Sequence, residues 1–357
     1  MPEATPDAKP AAGARSRVKL TVAWVAGLAL LAWLLQHTPW HEAQAAMARP
    51  SLLTWALTLL GLIGSYGLRA ARLQVVLDLD AHHQAASRWL GLRTDALRVV
   101  LMHNAAVNLL PMRAGELSFP WLAARELGHP VPRAVVCLVW MRLQDLSVLA
   151  VLGLLLWPGV PLSWRIGGLT LVVLGWVALT QGIRRWFAGA SGDAAAAADV
   201  AGAADAAEAA HGWRGQLTRL RLALQEPAHH RPAAWLLTLA NWSVKLASGA
   251  ALLDAITGAG FIQAWAGALG GELAAIVPLQ GPAGFGTYEA GVWVGMAKGL
   301  VGRADGALPG LTQGAIVSAA LALHLCFLLC AVLAGLVAMW LSRSVHQRAA
   351  ARQRTAP

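Results

Sequence analysis

The sequence predicts an all-α, polytopic integral membrane helix bundle, and three observations carry that expectation. Hydrophobic residues make up 57% of the 357 positions and charged residues only 13%, with a mean hydropathy of +0.54. A soluble domain is nearer a quarter charged. Several runs of 17 or more residues carry almost no charge, long enough as helix to cross a hydrocarbon core of about 30 Å. The basic residues flank those runs: Arg15, Arg17 and Lys19 precede the first, Arg184 and Arg185 follow another, and Arg343, Arg348, Arg352 and Arg354 come last. This is the positive-inside pattern, and it favours anionic headgroups. It also accounts for the net charge of +10 without nucleic acid, since no basic-aromatic patch lies outside these flanks.

Taken in order, residues 1–18 read as a disordered cytoplasmic N-terminus, 19–341 as the transmembrane domain and 342–357 as a basic cytoplasmic tail. Full crossings are expected at about 20–36, 51–68, 134–157, 166–182, 233–256 and 312–341, six in all. The first run is longer than the apolar core of a cleavable signal, and no small-residue cleavage pattern follows it. Residues 69–98, with Arg69, Arg72, Arg88, Arg93 and Arg98, read as a juxtamembrane, partly amphipathic cytoplasmic region. The Ala-rich stretch 188–212 reads as a cytoplasmic linker. Both termini and this linker then share the cytoplasmic side of a plasma (inner) membrane. Trp40, Trp157, Trp164 and Trp186 stand at span ends as interfacial anchors. Gly291, Gly295 and Gly299, four apart, offer a close-packing face. Cys137, Cys326 and Cys330 have the spacing of neither a zinc site nor a disulfide framework and read as packing residues.

Two stretches break this pattern. "NLLPMRAGELSFPWLAARELG", residues 108–128, follows a short apolar run (96–110) that stops at Pro111, and "PLQGPAGFGTYEAG" follows the run 261–277 that stops at Pro278. They occupy corresponding places in the two halves, giving two re-entrant or broken helix pairs and a two-fold internal repeat. Non-helical backbone at membrane depth must be buried in protein or line a wet cavity. Paired, Pro/Gly-interrupted segments point to a transporter's binding site. Each carries an acid soon after its break, Glu116 and Glu289. In the span after the first break, Arg142 lies nine residues beyond Arg133, about 13 Å along a helix. Asp145 follows on the same face. An ionised side chain at that depth costs about 2.5–3.5 kcal/mol on insertion scales. Lys245, mid-run in 233–256 and expected to be unpaired, joins the set of polar-cavity candidates, and His324 is the weaker addition.

Three segments together resemble a known family: Asn108-Leu109-Leu110-Pro111-Met112-Arg113-Ala114-Gly115-Glu116, then Arg142-Leu143-Gln144-Asp145, then Pro278 through Gly284-Phe285-Gly286-Thr287-Tyr288-Glu289. They look like the motifs of the lysylphosphatidylglycerol synthase transmembrane-region family, the flippase-like membrane domain of the multiple peptide resistance factor. Arg69 and Arg72 fit its pattern, and the resemblance covers about 20–341. It implies a bundle with re-entrant helices that moves lipids between leaflets. Two departures stand out. Only a short basic tail follows residue 341, where the full synthases continue into a soluble aminoacyl-transfer domain. Phe119-Pro120 stands where family members often carry a basic residue.

The leading expectation is therefore a lipid flippase or transporter, not an enzyme. Arg113, Arg142 and Lys245 would engage a phosphate, with Asn108 nearby. Glu116, Asp145 and Glu289 would take a cationic or hydroxylated headgroup, and backbone amides around Gly284 and Gly286 could hold phosphate. The alternatives are a membrane-embedded enzyme of lipid or lipid-linked sugar synthesis, or a scaffold for such enzymes. The expected partners are membrane lipids, a second copy of the chain or lipid-synthesis enzymes. No cofactor is expected: "GPAGFG" at 281–286 lacks the Gly-Lys-Ser/Thr of an ATP-binding loop. Asp78-Leu79-Asp80 reads as a solvated helix end, and the pairs His82-His83 and His229-His230 have no converging carboxylates to suggest a metal.

Overall fold

The computed structural model describes residues 40–82, 88–198, 224, 231–276, 282–299 and 313–354. The expected crossing at 20–36, the break at Pro278 and residues 199–212 of the expected linker lie outside these residues. Over the described residues the chain is an α-helical membrane bundle. Five helices are long and apolar enough to span a bilayer: Leu52–Val76, Val131–Leu156, Leu162–Ile183, Pro232–Thr257 and Gly314–Ser342.

Helix α1 (Trp40–Met47) leads into α2 (Leu52–Val76), whose first turn is capped by Ser51 accepting from the Thr54 amide at 3.1 Å. The N-terminal half of α2 turns Leu52, Leu53, Leu57 and Leu60 outward, as a lipid-facing helix should, whereas its C-terminal half is buried. Here the structure corrects the sequence reading. Residues 69–76 are no juxtamembrane segment: α2 runs unbroken through Arg69 and Arg72, and Arg72 is 4% exposed. After the short α3 (Leu79–His82), strands β1 (Arg88–Trp89) and β2 (Leu92–Arg93) pair as a hairpin, a small exception to the all-α expectation. Both turn residues, Leu90 and Gly91, have positive φ, the signature of a tight two-residue hairpin turn.

Helix α4 (Thr94–Leu109) starts with Asp95, which accepts from the Ala96 amide at 2.7 Å and pairs with Arg93 at 2.7 Å. It stops where expected. Leu110 is extended and Pro111 opens a tight 3-10 segment, η1 (Pro111–Leu117), before α5 (Ser118–Leu127). Proline has no amide to donate and clashes with the preceding turn, so α4 cannot continue. A Cβ at Gly115 would strike the Ala106 backbone, so η1 folds directly back on α4. Helices α6 (Val131–Leu156) and α7 (Leu162–Ala198) follow. Helix α7 runs ten residues and more into the stretch expected as linker, through Ala198.

The second half has the same plan. Helix α8 (Pro232–Thr257) packs along α2, and α9 (Phe261–Ala274) is followed by η2 (Pro282–Gly284) and α10 (Thr287–Gly299). Helices α9 and α10 nearly touch backbone to backbone: a Cβ at Gly270, Gly291 or Gly295 would collide with main-chain atoms of the other helix. The close-packing face read from the glycine spacing is thus used, and its partner is a second glycine set on α9. Helix α11 (Gln313–Arg354) closes the described fold. It packs against α4 and α10 and continues through most of the stretch expected as a basic tail. The three cysteines are buried and form no disulfide.

Candidate functional site

Helices α2, α6, α8, α9 and α10 and the segment η1 direct charged side chains into the middle of the bundle. From α2, Arg72 donates to Asp145 Oδ1 at 2.5 Å and to the Met141 carbonyl at 2.7 Å. Asp145, on α6, also accepts from the Trp242 indole of α8 at 2.9 Å. Arg142, one turn earlier on α6, reaches Asp145 at 3.3 Å but lies closer to Glu116 of η1, with contacts of 2.7 and 2.8 Å. The i,i+3 spacing correctly put Arg142 and Asp145 on one face. The stronger partner of each nevertheless comes from another element, Glu116 for Arg142 and Arg72 for Asp145.

Lys245 of α8 corrects a second expectation. It is not an unpaired ammonium: Glu272 of α9 stands 2.7 Å away, and the rings of Trp242 and Phe327 lie 5.2 and 4.7 Å from the charge. With Glu272 buried and the Lys245 side chain 17% exposed, such a bond is costly to break, up to about 3–5 kcal/mol when one partner is removed. Arg69 of α2 is different. It donates to the Asn104 and Asn241 amide oxygens and lies over Trp242, with no carboxylate partner among the described residues. Asn104 is held by its amide donating to the Val100 carbonyl, and Asn108 likewise donates to the Asn104 carbonyl at 2.7 Å.

The second break forms the opposite wall. Glu289 Oε2 accepts from the Gly286 amide at 2.7 Å, closing the first turn of α10, and Oε1 lies 2.6 Å from His324 Nδ1 on α11. His324 Nε2 is 2.8 Å from the Ala283 carbonyl. Gly284 and Gly286 have φ of +85° and +83°, which only glycine adopts freely. The expected role of this loop as a bare amide cradle for phosphate changes accordingly, because the Gly286 amide is already taken by Glu289. Glu116 and Glu289, expected as open headgroup acceptors, are engaged by Arg142 and His324. Arg113 is placed in η1, but its side chain lies outside the described residues, as does any contact it makes.

These groups enclose a cavity of about 100 Å³. Arg69, Asn104, Asn108 and Arg142 line one side, and Lys245, Glu272, Tyr288 and His324 the other. The rims touch, since η2 packs against both η1 and α4. The Tyr288 hydroxyl, in a residue 3% exposed, has no hydrogen-bond partner among the described residues. Beside the cavity, sharing Arg142, Trp242 and Glu272 with it, lies an apolar cleft of about 450 Å³. Leu138, Val139, Leu143 and Leu146 of α6 line it with Ile276. Val139 and Leu146 are about half exposed on the outer face of the bundle, at 49% and 48%.

No family model matches the chain, and no curated protein matches it. The site is therefore read from its own chemistry. The structure brings together all the described candidates, Asn108, Glu116, Arg142, Asp145, Lys245, Gly284, Gly286 and Glu289, within one polar interior and its walls. It adds Arg69, Arg72, Asn104, Glu272 and Tyr288, which were not among the candidates. Arg69 and Arg72 were legible in part, standing three apart on one helical face, but the apolar window closes at residue 68. Among the described residues no three His, Cys, Asp or Glu side chains converge as metal ligands would.

Proposed function

We propose that this protein is a lipid transporter of the flippase type, taking a phosphate-bearing headgroup into the polar cavity while the acyl chains stay in the apolar cleft. The observation that carries this reading is the charge balance of the cavity beside its lateral opening. Arg72, Arg142 and Lys245 are matched by Asp145, Glu116 and Glu272. Glu289 is paired with His324, and Arg69 is left with no carboxylate within ion-pair distance among the described residues, a surplus half-buried cation. A lone charge at membrane depth is expensive, and a phosphate monoanion would neutralise it. The unpartnered Tyr288 hydroxyl supplies a donor to the same ligand. The cleft suits the other half of an amphiphile, with exposed Val139 and Leu146 at its mouth. The resemblance of the three sequence segments to a flippase-like membrane domain supports the same reading.

The chemistry asked of the site is binding, and lowering the cost of moving a polar head across an apolar barrier. In this reading the protein resides in the plasma (inner) membrane with residues 188–198 and the end of α11 on the cytoplasmic side, so a cysteine at Ser191 stays unlabelled from outside intact cells. The decisive experiment is a leaflet-resolved lipid assay in proteoliposomes of the purified protein. Movement of a phosphate-headgroup lipid without nucleotide is expected, and Arg69→Gln should slow it by about tenfold or more, the factor expected for about 1.4 kcal/mol of lost interaction. Equal rates for the two proteins, or no movement above protein-free vesicles, would overturn the reading.

A further inference from the structure

The hydrogen bonds around His324 determine how many protons it and Glu289 hold. A carbonyl oxygen only accepts, so the 2.8 Å contact to the Ala283 carbonyl requires a hydrogen on Nε2. The other ring nitrogen, Nδ1, stands 2.6 Å from Glu289 Oε1. Two lone pairs cannot face each other at that distance. One more proton must lie between them, carried as neutral Glu289 donating to neutral His324 or as carboxylate with imidazolium. Either way the pair holds this shared proton besides the hydrogen on Nε2 and is neutral overall, and its two residues are only 3% and 5% exposed.

We infer that Glu289 and His324 form a binding site for one exchangeable proton, and that losing this proton loosens the cavity rim. Without it, the carboxylate and the Nδ1 lone pair repel, and the ring either withdraws or shifts its hydrogen from Nε2 to Nδ1. The Ala283 carbonyl then loses its donor. Ala283 has φ of +53° in η2, a conformation unfavourable for alanine that its surroundings must hold in place. The segment it belongs to is where the second break meets η1 and α4. The proton exchanges through the cavity, since His324, Ala283 and Gly284 all line it.

The surrounding groups set how the pair responds. Tyr288 adjoins on α10, its ring 4.9 Å from that of His324. The cavity's other lining groups are Glu272 of α9 with Lys245 of α8, Arg142 of α6, Arg69 of α2, and the uncharged Asn104 and Asn108 of α4. Cys326 lies on α11 itself. Arg142, Lys245 and Glu272 are matched in ion pairs, leaving Arg69 as the surplus charge. A deprotonated Glu289–His324 pair and a phosphate would both draw on that one cation, so they oppose each other. Proton and phosphate binding therefore help each other, and by linkage the effect is reciprocal.

The test uses the full chain in lipid nanodiscs, with the three native cysteines replaced by alanine and Ala283→Cys introduced. Modification by a small aqueous thiol reagent is measured against pH. Glu289→Gln is the reference that cancels the pH dependence of thiol chemistry. Its amide can donate to Nδ1 while its oxygen still accepts from Gly286, so it mimics the protonated pair at every pH. The ratio of Glu to Gln rates should stay near one in acid. It should then rise about tenfold per pH unit up to the transition, as the deprotonated fraction does. His324→Asn, which removes the ring, should label fast at all pH values. Direct titration should show the parent protein releasing one more proton than Glu289→Gln. A constant ratio or a matching proton count overturns the inference. If Glu289→Gln does not fold, slow labelling of His324→Asn in both acid and alkali overturns it. Added inorganic phosphate should move the transition to higher pH. That arm rests on the phosphate reading of the cavity, and its failure with the transition intact would sink that reading and leave the proton site standing.

Discussion

Removing the Arg72 guanidinium would leave the Asp145 carboxylate, 8% exposed, with Arg142 at 3.3 Å and the Trp242 indole. Arg72→Leu should therefore destabilise the protein by about 3–5 kcal/mol, read as loss of thermal stability in detergent. Arg72→Leu combined with Asp145→Leu should recover most of it, less about 1–3 kcal/mol for the stranded Trp242 donor. A double variant no more stable than Arg72→Leu alone would mean that the pair does not act as a unit. This residue scale was only half legible in the sequence. A charge in the middle of an apolar run announces itself, which is how Arg142, Asp145 and Lys245 were found. Its partner does not, because Arg72 is 73 residues from Asp145 and Glu272 is 27 from Lys245. Spacing along one helix gives neighbours on a face. Which faces meet is decided by packing between helices, and no local pattern encodes it.

Helices were easier to read than contacts, because their signals are local. Pro111 ends α4 at the place its chemistry dictates, and five of the six expected crossings are found within the described residues. Errors fell at the ends. Polar residues shortened the expected span before Arg69, although buried partners allow α2 to continue. The alanine-rich stretch lacks an apolar face, yet alanine's helix propensity carries α7 on to Ala198. The tightest element contact, α9 on α10, gives a sharp test. Gly291→Leu would drive a side chain into the Gly270 backbone and Ala274. It should lower stability by about 1–3 kcal/mol or more through overpacking. At Gly175 of α7 an added Cβ meets nothing within 4 Å, so Gly175→Ala should be neutral or up to about 1 kcal/mol stabilising. Equal melting temperatures for the two variants would show that the α9–α10 approach is not tight.

At the scale of the whole molecule, the two broken helix pairs meet around one polar interior, and the bundle is open sideways next to it. Only the first was expected, and in outline: the paired breaks pointed to a site, but nothing in the apolar pattern of α6 marked a cleft. Its lining residues look like any lipid-facing row until α9 is seen to end opposite them. The juxtaposition matters because an amphiphile needs both environments at once, and it allows the two to be separated experimentally. Leu146 lines the apolar cleft but not the polar cavity. Leu146→Trp adds bulk at the mouth while leaving Arg69, Tyr288 and the ion pairs unaltered. Lipid movement in proteoliposomes should fall by about tenfold or more, as a blocked path of about 1.4 kcal/mol or greater would give. Protection of a cysteine at Ala283 by inorganic phosphate should persist at the same concentration. Arg69→Gln should lose both the movement and the protection. If Leu146→Trp transports at the normal rate, the acyl chains do not travel through this cleft. If it loses phosphate protection as well, the cleft and cavity are one packed unit and the lateral opening has no separate role.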